Sequence, residues 1–90
     1  MSTLKVDPPK QGELFQFHNF NGVYFQRFAV SGFGEKGDSV LLTSRQIYDL
    51  EIEGSVHPFR WEQDGPNAVR LTLVEKWHGY MLIPVLGRSN

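Results

Sequence analysis

Residues 13–31, ELFQFHNFNGVYFQRFAVS, hold the most decisive pattern in the chain. Asn21-Gly22 sits between two runs of alternating character. A two-residue type I′ turn needs positive φ at both central positions, which Asn-Gly tolerates, so the segment predicts a β-hairpin. The register follows from that turn: Phe20 faces Val23, His18 faces Phe25, Gln16 faces Arg27 and Leu14 faces Ala29. Side chains alternate with period two along a strand. The opposite face then carries Phe15, Phe17, Tyr24, Phe28 and Val30, and is the more continuously apolar. That face is expected to be dry.

Working outward, residues 1–12 (MSTLKVDPPKQG) read as a flexible N-terminal arm, because Pro8 and Pro9 forbid helix and suit strands poorly. Residues 13–90 then form a single β-rich domain. GFGEKGD (32–38) reads as a loop and Ser39 to Leu42 as a short strand. Thr43 with Gln46 three residues on fits a capping box, and Ile47 and Leu50 stand at i and i+3, so a short helix is expected over about 44–52. Its acidic end (Asp49, Glu51, Glu53) opposes the helix dipole and leaves its stability to packing. VHPFRWE (56–62) reads as an edge strand because of Pro58. AVRLTLVEK (68–76) alternates Val69, Leu71 and Leu73 with Arg70 and Thr72. WHG (77–79) reads as a turn, and YMLIPVL (80–86) as a last strand whose proline again suggests an edge. The expected fold is α+β: a mainly antiparallel, curled sheet in the order β-β-β-α-β-β-β, with one short helix.

Composition narrows the function. The chain has 90 residues, a formal net charge of −1 and no cysteine. Disulfides, thiolate metal sites and a thiol nucleophile are excluded. His18, His57 and His78 lack the i,i+2 or i,i+4 spacing of a metal motif, so no metal and no cofactor are expected. Gly32, Gly34 and Gly37 have GxGxxG spacing, but the strand-to-helix crossover of a dinucleotide site is missing. No serine sits on a nucleophile elbow. A non-enzymatic binding protein is therefore expected. No apolar run reaches membrane-spanning length, and residues 1–12 lack the apolar stretch of a signal peptide, so a cytoplasmic protein is expected.

Aromatic residues make up 13% of the chain, and this leaves two binding readings. In the first, His18, Phe20, Phe25 and Arg27 face outward and, with Lys36, Arg60 and Arg70, bind single-stranded nucleic acid by stacking and phosphate contact. The competing placement packs Phe20 and Phe25 beneath the helix. In the second, the domain is a small protein-binding module, such as a phage or mobile-element inhibitor or assembly factor. Its exposed strand edges and aromatic anchors (Tyr48, Trp61, Trp77 and Tyr80) would meet a partner, and a homodimer is compatible with either reading. The first is preferred, because basic residues recur on strands while acidic ones gather on the helix and turns.

FNGVYFQRFAVSGFGEKGDSVLLTSRQIYDL (20–50), about a third of the chain, resembles the central part of the transcriptional positive cofactor four family of single-strand DNA binders. That family has a hairpin, a Gly-Glu-Lys-rich loop, a short strand and an LTxxQ helix start in this order. The resemblance implies that Arg27, Lys36 and the hairpin aromatics touch DNA. The chain departs from the family in being less basic and in continuing into three further strands rather than a long dimerising helix.

Overall fold

A computed structural model describes residues 2–9, 14–16, 23–45 and 49–88. The described elements are β1 (Lys5–Asp7), β2 (Leu14–Gln16), β3 (Val23–Gly34), β4 (Ser39–Thr43), β5 (Asp49–Ile52), β6 (Phe59–Gln63), β7 (Ala68–Leu73) and β8 (Trp77–Arg88). They form two antiparallel sheets. One is ordered β1-β3-β8-β5 with β2 also on β3, and the other is β4-β7-β6. Among the described residues no helix is long and apolar enough to cross a membrane.

Alternation builds the core. Phe28 and Val30 of β3 and Ile83 and Val85 of β8 are fully buried, and they meet Val69, Leu71 and Leu73 of β7 together with Leu42, Leu50, Ile52 and Phe59. The strand expected at 68–76 is thus the centre of the smaller sheet, and β6, preceded by Pro58, is one of its edges. Gln26 shares the buried side of β3; its Nε2 donates to Ser44 Oγ at 3.2 Å, while its Oε1 is buried with no hydrogen-bond partner among the described residues.

Four expectations are corrected. The α+β fold with a helix at 44–52 gives way to an all-β arrangement, with no helix among the described residues. Leu50 and Ile52 are buried while Asp49, Glu51 and Glu53 are exposed, a period of two that seats β5 against β8. As a strand, the segment also escapes the unfavourable encounter of three carboxylates with a helix C-terminus. Thr43 pairs with Ala68 inside β4 and is not a helix cap.

The first hairpin's register differs as well. Gln16 stands opposite Tyr24 rather than Arg27, and Phe15 opposite Phe25 rather than Phe28. That is a shift of three residues, and an odd shift exchanges the partners of the two alternating sets. Asn21, Gly22, His18 and Phe20 lie outside the described residues. In the third correction, 77–79 is not a turn: β8 begins at Trp77, and the β3–β8 ladder runs unbroken from Gly34↔Trp77 to Val23↔Arg88.

The fourth concerns Pro84, which lies in a central strand rather than an edge. Its carbonyl accepts a hydrogen bond from Glu53 N at 3.2 Å, on the β5 side. Along a strand the N–H and C=O of one residue project to the same side, so the missing N–H of Pro84 costs the β3–β8 ladder nothing. It falls where β5 ends at Ile52.

Lys5–Asp7, within the stretch read as an arm, pairs with Ser31 to Ala29 of β3. Thr3 N donates to Phe33 O, and Phe33 N donates to Thr3 Oγ1, both at 2.8 Å. Gly32 makes this close approach possible. Its φ is +114°, and a Cβ there would collide with the Thr3 carbonyl. Gly32→Ala is therefore expected to destabilise the domain by about 1–3 kcal/mol, read from chemical denaturation. An unchanged midpoint would show that the Thr3–Phe33 seam contributes nothing.

Candidate binding surface

The outer face of the five-stranded sheet follows from the inner one. Because Phe28, Val30, Ile83 and Val85 point into the core, the alternate residues of β3 and β8 point out. Cross-strand pairs then form rows: Phe33 with His78, Ser31 with Tyr80, Ala29 with Leu82 and Arg27 with Pro84. β1 extends two of them, with Lys5 beside Ser31 and Asp7 beside Ala29. Tyr80 is 67% exposed and Leu82 is 49% exposed, although both sit in the middle of a sheet.

Aromatic and cationic groups gather at one end of this face. Phe33 and His78 meet edge to face, with ring centroids 6.2 Å apart and planes at 68°. Lys76 Nζ lies 5.3 Å from the Phe33 centroid, within the range of a cation–π contact. Lys5 and Lys76 are exposed, as is Arg27 further along the face. The carboxylates of Asp49 and Glu51 lie toward the opposite end, on β5.

The residues singled out in the sequence are not brought together as expected. Arg27 is exposed on the outer face just described, and Phe25 lies in β3 between Phe15 and Leu86. Arg60 and Arg70 lie on the outer side of β6 and β7, in the other sheet, so the surface expected to unite Arg27, Arg60 and Arg70 does not form. Arg70 is engaged there, its Nε 3.2 Å from Asp64 Oδ2 and its Nη1 donating to Ser39 Oγ at 3.1 Å. Lys36 is exposed at the tip of a tight turn between β3 and β4. Asp38 N donates to Glu35 O at 3.0 Å, and Gly37 N donates to Leu73 O at 2.9 Å. The turn lies two residues beyond Gly34, at the end of the sheet that carries Phe33.

Phe33, His78, Lys5 and Lys76 escaped the sequence reading. The signal was present in the alternation of His78, Tyr80 and Leu82 with Trp77, Met81 and Ile83. Reading Trp-His-Gly as a turn hid it.

A second feature lies on the flank where β5 and β6 come together. A cleft of about 310 Å³ is lined by Asp49, Leu50, Glu51, Trp61, Gln63 and Leu86. Beyond Trp61 lies another of about 330 Å³, whose walls include Val56, His57, Arg60 and Val74. No family model, curated protein or solved structure matches this chain.

Proposed function

We propose that this protein binds single-stranded nucleic acid on the outer face of the β1-β3-β8-β5 sheet, at the end built from Phe33, His78 and Tyr80. The supporting observation is the placement of exposed Tyr80 one row from the Phe33–His78 pair, with Lys5 and Lys76 beside them on the same face. Proteins that hold single strands combine aromatic platforms with cations that follow the backbone. Residues i and i+2 of a strand are spaced by roughly 7 Å. His78 and Tyr80 therefore offer consecutive platforms to bases drawn apart along an extended strand, and the stacked bases of a duplex, about 3.4 Å apart, do not fit that spacing. Arg27 supplies a further cation along the line of β3.

Charge decides the expected behaviour. With a formal net charge of −1, the chain has little long-range attraction for duplex DNA, and affinity rests on local contacts. Three phosphate contacts, from Lys5, Arg27 and Lys76, give a slope of about −2 in log affinity against log salt, at roughly −0.7 per contact. Fluorescence anisotropy of a labelled oligothymidine across a salt series measures it. Replacing both Lys5 and Lys76 with Ala should reduce the slope to about −0.7. Absence of binding at low salt, or equal affinity for duplex, would overturn the reading.

A further inference from the structure

We infer that the flank between β5 and β6 is a second, separate binding site, which takes an extended peptide strand carrying a basic side chain. Three observations lead there. First, β6 pairs only with β7 among the described residues; on its other side Phe59 N donates to Val56 O at 2.7 Å, and the strand pairing leaves the backbone of Trp61 and Gln63 on the outer edge. Such edges accept an added strand, with main-chain hydrogen bonds supplying affinity and pockets for alternate side chains supplying selectivity.

Second, β6 lines both clefts of this flank, and half-buried Trp61 is the wall between them. A strand laid along β6 presents side chains i and i+2 roughly 7 Å apart on its inward side, which sets one in each cleft across the indole.

Third, the clefts differ in chemistry. The first is lined by Trp61, the acidic residues Asp49 and Glu51, and Leu86, with buried Leu50 at its base. In the β5–β8 register Arg88 stands opposite Asp49, but Leu86 stands opposite Glu51, so Glu51 is the carboxylate with an apolar cross-strand neighbour. An ammonium or guanidinium group there gains an ion pair and a cation–π contact, while its methylene stem lies on leucine. The second cleft offers Val56, Phe59 and exposed Val74 beside Arg60, and His57 is engaged with Glu75 at 3.0 Å. It suits an apolar side chain and disfavours a second cation. The partner motif is therefore a basic residue with an apolar residue two positions away.

The experiment is an NMR titration of the ¹⁵N-labelled full chain with an acetylated, amidated pentapeptide, valine–lysine–threonine–valine–threonine, which sets lysine and the second valine two positions apart on one face. A second peptide carries glutamate in place of lysine. The indole N–H signals of Trp61 and Trp77 are distinguished with Trp61→Phe. The lysine peptide should shift the Trp61 indole signal and the amides of β5 and β6. The glutamate peptide should bind about tenfold more weakly or not at all, and Glu51→Gln should weaken the lysine peptide by about threefold. Because Glu51 is exposed, this variant keeps the fold. Unmoved β5 and β6 signals at millimolar peptide, or equal responses to the two peptides, would overturn the proposal. Neither outcome bears on nucleic-acid binding, whose residues lie elsewhere on the molecule.

Discussion

Phe28→Ala is expected to cost about 3–5 kcal/mol of folding free energy. Phe28 is 1% exposed and lies in the middle of β3, opposite Ile83 in the longest ladder of the fold. Removing the ring loses its transfer free energy and opens a cavity that neighbours on two sheets cannot both move to fill. Total stability for a domain of this size is roughly 5–14 kcal/mol, so the change takes about a fifth of it or more. Urea unfolding followed by circular dichroism should show a large fall in midpoint with the slope nearly preserved. A loss under about 1 kcal/mol would mean that β3 does not present Phe28 to the interior, and the division of β3 and β8 into inner and outer faces would fail with it.

The second large effect is on binding. Tyr80→Ala should weaken single-strand affinity by about fivefold or more, since stacking contributes roughly 1–3 kcal/mol per base. The same substitution should leave stability nearly unchanged, because Tyr80 is 67% exposed and contributes little to the core. Tyr80→Phe, which keeps the ring, should bind nearly as the parent does. Equal loss in both variants would assign the effect to the hydroxyl and not to stacking. Full affinity in Tyr80→Ala would remove this residue from the site.

Sequence reasoning succeeded where one period dominated. Val69, Leu71 and Leu73 alternate with polar residues, and β7 is the centre of the smaller sheet. Phe28 and Val30 were assigned to the dry face of β3, and they are buried. Reasoning failed where two periods competed over a few residues. In Asp49–Glu53 the strict apolar–acidic alternation was outweighed by a capping pattern and one i,i+3 pair. A four-residue strand is too short for periodicity alone to decide, and its pairing with distant β8 decided it. Register failed for a related reason. It was derived from a local turn, whereas β3 is held through its whole length by β8, and β2 pairs only at its end.

The candidate site was legible only in part. Arg27 stands exposed between buried Gln26 and Phe28, on the side that strand alternation leaves outward. Its supposed companions Arg60 and Arg70 were grouped with it by analogy of strand position, and nothing in a sequence says which of two sheets a strand joins. Here β6 and β7 join the sheet that Arg27 does not. The cluster of Phe33, His78 and Tyr80 depends on a pairing across more than 40 positions of sequence, which no local pattern reveals. Pro84 misled as well: a proline is barred from a central strand only when its N–H is needed, and at the point where β5 ends it is not.

Chemical-shift mapping of the ¹⁵N-labelled protein with a six-nucleotide oligothymidine at low salt puts the proposed surface to the test residue by residue. The perturbed amides are expected to cluster at Ser31, Phe33, Lys76, His78 and Tyr80. Silence across that face, or a response confined to the β4-β7-β6 sheet around Arg60 and Arg70, would contradict the proposed binding surface.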